Sequence, residues 1–235
     1  MPSRFGRRWL DVVTAIYVYN EHRGYTALDT MLLAVKRHFP GDHRLIAEIE
    51  RHRADERKHY LLFKRWFTRR GRMPLYVDRA CGHIDRFFEL VFRSRIDNVD
   101  IDAFIAVGRF EQLCRVIALT ERRGYRQVEA LLRHPLVRQD ARLTRIFEII
   151  RKDEPRHWAP YENWLKTHGA RDPAWWEYAI DSFIHSELLL VKLPILFLTP
   201  GLKRRSRWPD EDERPGSYER KTRRASSRLV GARAA

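Results

Sequence analysis

Two Glu-x-x-His motifs have residue types and a spacing that can do chemistry: Glu56 with His59, and Glu154 with His157. Residues three positions apart on a helix project from the same face about one turn apart, so this carboxylate and imidazole can reach one metal ion. A single pair is weak evidence, because glutamate and histidine often fall three apart by chance. The interpretation therefore depends on the sequence around each motif.

An internal duplication links the two motifs. Residues 55–59 (DERKH) recur as residues 153–157 (DEPRH), and in both copies an aromatic residue and a tryptophan follow at the same offsets. Residues 21–25 (EHRGY) recur 100 positions later as residues 121–125 (ERRGY). Each copy has room for one helix, a turn and a second helix. The sequence therefore predicts two related helical hairpins.

Each motif interrupts an apolar helix face. The two faces consist of Leu45, Ile49, His52, Glu56, His59, Phe63 and Trp66 in one copy, and Leu143, Phe147, Ile150, Glu154, His157, Tyr161 and Trp164 in the other. Buried ionised groups are costly unless they are paired or bind metal. With the glutamates that open the EHRGY and ERRGY segments, four carboxylates and two imidazoles form the donor set of a carboxylate-bridged two-metal site. The predicted ligands are Glu21, Glu56, His59, Glu121, Glu154 and His157.

Several positions leave alternatives open. Glu111 is a rival ligand on the third helix, but it has no counterpart in the first copy and ranks below Glu121. His52 lies on the metal-facing stripe, but Ile150 occupies the equivalent position, so we expect it to support the site rather than bind metal. Pro155 favours a kinked continuous helix, the alternative being a new helix that begins at the proline.

Four further residues of the duplicated EHRGY and ERRGY segments are of interest. Tyr25 and Tyr125 lie one turn after their glutamates and either hydrogen-bond them or pack in the core. Gly24 and Gly124 either permit a close approach of helices or weaken their own helix. The residues alone do not decide between these alternatives.

The elements that must position these residues are helical, because apolar residues recur at helical period as far as Pro200. The expected helices cover residues 8–38, 42–70, 78–95, 101–134, 138–168 and 173–193, with Asp42 capping the second. The 78–95 segment has the apolar face of a crossover helix. Residues 1–200 are thus expected to form one helical domain, and residues 201–235 a basic, disordered tail.

Residues 8–168 resemble the ferritin-like superfamily of di-iron carboxylate proteins. The resemblance implies a four-helix bundle of two duplicated hairpins, with a crossover helix and an extra C-terminal helix. It also implies two iron ions, or manganese in place of one, with Glu56 and Glu154 as the bridging carboxylates. Asp55 and Asp153 resemble the aspartates that orient metal-bound histidines in bacterial monooxygenases and acyl-carrier-protein desaturases.

The resemblance further implies an oxidoreductase that activates dioxygen to oxidise or hydroxylate an unidentified, hydrophobic substrate. A ferritin-like iron-binding or ferroxidase protein and a tRNA-modifying hydroxylase are the alternatives. The chain has only Cys81 and Cys114, too few for a rubredoxin-type centre. An external electron donor protein is therefore expected.

Composition limits the location of the protein. The chain has 235 residues and a formal net charge of +15, which favours contact with an anionic membrane surface or RNA. Few cysteines and the absence of a signal-peptide pattern indicate the cytoplasm. The apolar run at residues 188–198 is too short to span a bilayer, but it is suited to lie at a membrane surface.

Overall fold

A computed structural model describes residues 3–212, and this part of the chain is an all-helical bundle. The helices are α1 (Arg4–His38), α2 (His43–Thr68), α3 (His83–Val91), α4 (Ile101–Ala106), α5 (Phe110–Arg133), α6 (Pro135–Arg138), α7 (Ala141–Asp153), α8 (Pro155–Thr167), α9 (Trp175–Glu187), α10 (Leu193–Leu198) and α11 (Pro209–Asp212). A π-helical turn (Leu188–Lys192) joins α9 to α10.

Two helical hairpins build the bundle, as the duplication predicts. Helix α1 packs along α2, α5 packs along α7 and α8, and α2 contacts α7 and α8 to hold the two hairpins together. The Asp42 side chain accepts a hydrogen bond from Leu45 N, which confirms the predicted cap of α2. Gly71 and Gly169 follow α2 and α8 with φ of 60° and 61°, a conformation that glycine adopts without strain.

The helices predicted over residues 101–134 and 138–168 are each interrupted. Gly108, with φ of 78°, separates α4 from α5. Glu154 separates α7 from α8, because Pro155 has no N–H to continue the hydrogen-bond ladder. Glu154 itself keeps helical φ and ψ of −46° and −44°, so the break is one residue long. The Asp153 carboxylate does not cap α8, whose start has no side-chain cap.

The segment after Pro200 is not a disordered tail as far as the structure describes it, which corrects the prediction for residues 201–212. Trp208 is buried, Asp210 accepts hydrogen bonds from Tyr60 and Lys64, and Arg204 pairs with the buried Asp11. One buried aromatic residue, a few ion pairs and backbone hydrogen bonds of Lys203 and Arg205 to Tyr76 and Pro74 hold the segment without any apolar period. Residues 213–235 lie outside the described part of the chain.

The helix predicted over residues 173–193 is divided into α9, the π-helical turn and α10, and it ends at Leu198 rather than near residue 193. Helix α9 packs on α3 and α5, and α10 packs on α1. Together they cover one side of the bundle. Among residues 3–212, no helix is both long enough and apolar enough to cross a membrane.

The core around the bundle axis has two main apolar parts. One includes Leu10, Tyr60 and Phe147, and the other includes Val35, Ile49 and Tyr161. In every long helix the predicted metal ligands fall between the residues that build these two parts. The fold therefore places a polar layer in mid-bundle.

Candidate metal centre

The candidate metal centre occupies this polar layer, where four helices and the α7–α8 junction approach one another. All six predicted ligands converge there, five of them buried and one, on α5, half-buried. They are Glu21 on α1, Glu56 and His59 on α2, Glu121 on α5, Glu154 between α7 and α8, and His157 on α8.

Two histidines each face a glutamate from another helix. His59 Nδ1 lies 3.3 Å from Glu21 Oε2 and 4.0 Å from Glu56 Oε1. His157 Nδ1 lies 3.3 Å from the same Glu56 oxygen. One atom from each of Glu21, Glu56 and His59 lies within 4.8 Å of the others, which forms a first group able to hold a metal ion.

A second group of the same kind contains His52, Glu56, Glu121 and His157, so Glu56 belongs to both. His52 Nε2 lies 3.8 Å from Glu56 Oε1 and 3.7 Å from Glu121 Oε1. Glu154 is in neither group, but its Oε2 lies 3.8 Å from His157 Nδ1. The shared position of Glu56 is what a bridging carboxylate requires, whereas Glu154 flanks the second group.

His52 is a candidate ligand that sequence reasoning placed outside the metal-binding set. Its Nδ1 is hydrogen-bonded to the hydroxyl of Tyr161 at 3.0 Å, which leaves Nε2 facing the carboxylates. Burial and the neighbouring His157 and His59 lower its pKa, so the imidazole is neutral and able to bind metal. The comparison with Ile150 could not show this position, because the two copies differ there.

Buried polar atoms without a hydrogen-bond partner are concentrated in this layer. Each such atom costs about 1–3 kcal/mol if nothing satisfies it, so a cluster of them indicates a ligand-binding site. A metal ion would satisfy them all, since each has a free lone pair or can release a proton. The atoms are Glu21 Oε2, His52 Nε2, His59 Nδ1, Glu154 Oε2 and His157 Nδ1.

Burial and nearby charge shift the protonation of these groups. Burial, reinforced by the charge of Glu21, raises the pKa of Glu56 to about 7, and burial also raises the pKa of Glu154. Although burial lowers the pKa of His59, Glu21 and Asp153 together raise it to about 9. Protons therefore stabilise the metal-free cluster, and a bound cation must displace them.

Each hairpin contributes an aspartate to the histidine of the other hairpin. Asp153 Oδ2 lies 3.2 Å from His59 Nε2, and Asp55 Oδ2 lies 3.7 Å from His157 Nε2. Lys58 Nζ joins the two, at 2.5 Å from Asp55 and 2.6 Å from Asp153. These contacts keep both carboxylates ionised, lowering the pKa of Asp55 and, to about 2, that of Asp153. Asp153 is therefore hydrogen-bonded to its histidine, whereas Asp55 lies near His157 without a hydrogen bond.

The glycines of the duplicated segments differ in what they touch. A Cβ atom on Gly24 would lie 2.2 Å from Glu56 Oε2, whereas one on Gly124 would lie 3.7 Å from Glu154 Oε1. Real Cβ atoms do not approach an oxygen as closely as 2.2 Å. Gly24 therefore permits the Glu56 carboxylate to lie against α1, and Gly124 has no such role.

The structure shows contacts outside the candidate metal centre for three other residues singled out in the sequence, one glutamate and two tyrosines. Glu111 forms an ion pair with Arg115 and is not part of either group, which favours Glu121 as the ligand on α5. The Tyr125 hydroxyl donates to Glu129 rather than to Glu121, so the alternative in which it hydrogen-bonds the glutamate one turn earlier is not the one observed. The Tyr25 ring packs near Tyr60 in the core.

A cavity of about 870 Å³ runs between α1 and α5 and reaches the metal-binding layer. Carboxylates of the layer form part of one wall, and α3, α9 and the π-helical turn cover the opposite side. Most of the lining is apolar, including Ile16, Met31, Phe88, Ile117 and Leu188. The layer is therefore accessible to an elongated apolar molecule inside the bundle. Sequence alone gave no sign that the two helices would leave this space.

The arrangement thus combines a buried carboxylate and histidine cluster able to hold metal with a large, mostly apolar cavity. In comparisons with known proteins, no family model matches the chain, and neither a curated protein nor a solved structure gives a significant match.

Proposed function

We propose that the protein is a ferritin-like, di-iron carboxylate oxidoreductase that activates dioxygen to oxidise an apolar substrate. The observation that carries the proposal is the position of the carboxylate and histidine layer in the wall of a large apolar cavity. Iron storage requires no such cavity for an organic molecule. A cavity of this size is within the range of about 300–1,000 Å³ that holds small-molecule ligands.

The donor set fits two ions. Glu21 and His59 would hold one, Glu121 and His157 the other, with Glu56 shared between them because it belongs to both groups. Carboxylate oxygens and imidazoles suit iron and manganese better than soft metals. His52 and Glu154 are available as additional ligands to the second ion.

Two iron ions, when bound, would supply the redox chemistry by which dioxygen attacks a carbon–hydrogen bond. The protein's own part is to hold and shield this pair. Asp153 and Asp55 orient the imidazoles of His59 and His157, and the apolar lining excludes water from the substrate. Glu154 has a carboxylate oxygen with no hydrogen-bond partner, so it can change its position without breaking a hydrogen bond at that oxygen.

Electrons must come from outside the chain. Its two cysteines, Cys81 and Cys114, are buried and unpaired, and burial raises the pKa of both thiols. The cycle therefore includes an electron donor protein that docks on the surface. The basic character of the chain suits an acidic donor.

Anaerobic loading with Fe(II), followed by exposure to air, tests the proposal. We expect two iron ions per chain, one round of oxidation seen by absorption spectroscopy, and iron that stays bound until a reductant is added. Excess Fe(II) in air should not be oxidised over many turnovers. If many iron atoms per chain were oxidised and retained, the protein would be an iron store, and the oxygenase proposal would be wrong.

A further inference from the structure

A buried arginine in the cavity wall carries hydrogen-bond donors that nothing in the described protein uses. Arg123, on α5, is 2% exposed and lines the cavity. Its Nε donates to Asp181 Oδ1 at 2.6 Å, whereas Nη1 and Nη2 are both buried without a partner. A guanidinium group has five N–H donors, and leaving the outer ones unpaired in an apolar interior is costly.

Two more unpartnered polar atoms lie along the same cavity. They are His83 Nε2, on α3, and the Tyr17 hydroxyl, on α1, and both residues line the cavity. Burial and the positive charge of Arg123 lower the pKa of His83, so its imidazole is neutral and can donate a hydrogen bond. Three helices thus contribute unpartnered polar groups to the lining of one mostly apolar cavity.

We propose that the Nη1 and Nη2 groups of Arg123 bind the carboxylate of the substrate, which is an elongated apolar carboxylic acid such as a fatty acid. This inference names the substrate class for the proposed function and rests on it in that respect. Two parallel N–H donors match the two oxygens of a carboxylate. The apolar chain of the molecule would extend from the carboxylate along the cavity.

The surrounding charges favour a monoanion over a phosphate. Asp181 already balances the charge of Arg123 through Nε, so the site offers directed donors rather than a large positive field. A phosphate dianion has more oxygens than the two free Nη groups of Arg123 can satisfy. A neutral ester or alcohol, by contrast, gains no charge-assisted hydrogen bond.

The same pair of helices supplies a matched control. Arg115, also on α5, pairs with the buried Glu177 of α9 at 3.0 Å, much as Arg123 pairs with Asp181. Arg115 does not line the cavity, and its Nη1 is bonded to Glu111. R115K and R123K each keep a positive charge in an α5–α9 ion pair, but only R123K removes a fork that faces the cavity.

Calorimetric titration of the full chain with dodecanoic acid, methyl dodecanoate and dodecyl phosphate tests the proposal. We expect one dodecanoate per chain, at least about tenfold weaker binding of the methyl ester, a similar loss for the acid in R123K, and wild-type affinity in R115K. Circular dichroism confirms that both variants are folded. The proposal is overturned if no acid binds, if acid and ester bind equally, if the phosphate binds more tightly, or if the two variants behave alike.

Binding is measured both without metal and after iron loading, so that this inference and the proposed function can fail separately. Dodecanoate binding that depends on Arg123, in a protein whose iron never reacts with oxygen, would retain the subsite and reject the oxygenase. Reaction with oxygen in a protein that binds dodecanoate independently of Arg123 would do the reverse.

Discussion

The carboxylate of Glu56 lies so close to the backbone of Gly24 that a methyl group on the glycine would come within 2.2 Å of Oε2. Glu56 belongs to both groups of candidate ligands, so its position affects the whole centre. The absence of a side chain on α1 is thus part of the metal site.

The first prediction compares G24A with G124A. Alanine stabilises a helix by about 0.5–1 kcal/mol relative to glycine, so neither variant should unfold. G24A should displace Glu56 and lose at least half of the bound iron, while G124A keeps its full content. Metal analysis after anaerobic loading measures this. Equal iron contents would mean that Glu56 can move without loss of the site.

The second prediction concerns Asp153, which lies 3.2 Å from His59 Nε2. D153N should weaken metal binding by about 10–100-fold, because the imidazole loses the partner that orients it. D55N should cost less, since its distance to His157 is 3.7 Å. D29N, which alters a surface pair with Arg53, is the control. Competition with a chelator gives the affinities, and a D153N value equal to that of D29N would refute the orienting role.

The third prediction separates the two glutamates of α5. E121A should lose metal and E111A should not, because only Glu121 reaches the second ligand group. E56A should lose more than E121A, since it removes the shared carboxylate. Equal losses in E111A and E121A would show that the metal ligand on α5 has been misassigned.

The fourth prediction is that metal-free protein loses stability as pH rises. The folded-state pKa of Glu56, about 7, lies above its ordinary value of 4.5. Its stabilising contribution is therefore complete below the ordinary value and is lost as pH rises through 7. The pKa of His59 is raised from 6.5 to about 9, so its stabilising contribution is lost as pH rises between these two values. The melting temperature of chelator-treated protein should fall as pH rises through both intervals, and E56Q should reduce the fall in the lower interval, where the buried Glu154 also contributes. A melting temperature that rises with pH would contradict the prediction.

The fifth prediction concerns Trp208, which anchors the segment after Pro200. W208A should destabilise the fold by roughly 3 kcal/mol, as expected when a buried aromatic side chain is removed, but leave the iron content unchanged because the ligands lie in mid-bundle. Urea unfolding and metal analysis check the two parts. W175A is the control, because Trp175 is 80% exposed, and equal stabilities of the two variants would show that Trp208 contributes little.

Much of this arrangement could be predicted from the sequence, because duplication and helical period are local signals. They indicated the hairpins, the convergence of the six candidate ligands and the aspartates beside the histidines. The assignment to the ferritin-like superfamily remains a prediction. His52 was placed outside the ligand set because the duplicated copies were treated as equivalent.

Other features depend on long-range packing that leaves little local pattern. Trp208 and a few polar contacts hold the segment after Pro200, and such isolated contacts leave no apolar period in the sequence. From the sequence we would expect Arg123 to lie on the surface, because its neighbours in the chain do not show that α3 and α9 bury it. The cavity arises from the spacing of α1 and α5, which is set by the other helices.

The exchange of aspartates between hairpins also bears on the origin of the chain. Asp153 faces His59, and Asp55 faces His157, so neither hairpin alone holds a complete histidine and aspartate pair. A two-fold symmetric dimer has the same reciprocity: if one residue of the first copy contacts another residue of the second, the second copy makes the same contact in return. An ancestral hairpin would have gained the whole centre by pairing with a second copy of itself, and gene fusion would then have made the pairing permanent. In a single chain the two halves need not stay identical, and His52 in one half does correspond to Ile150 in the other.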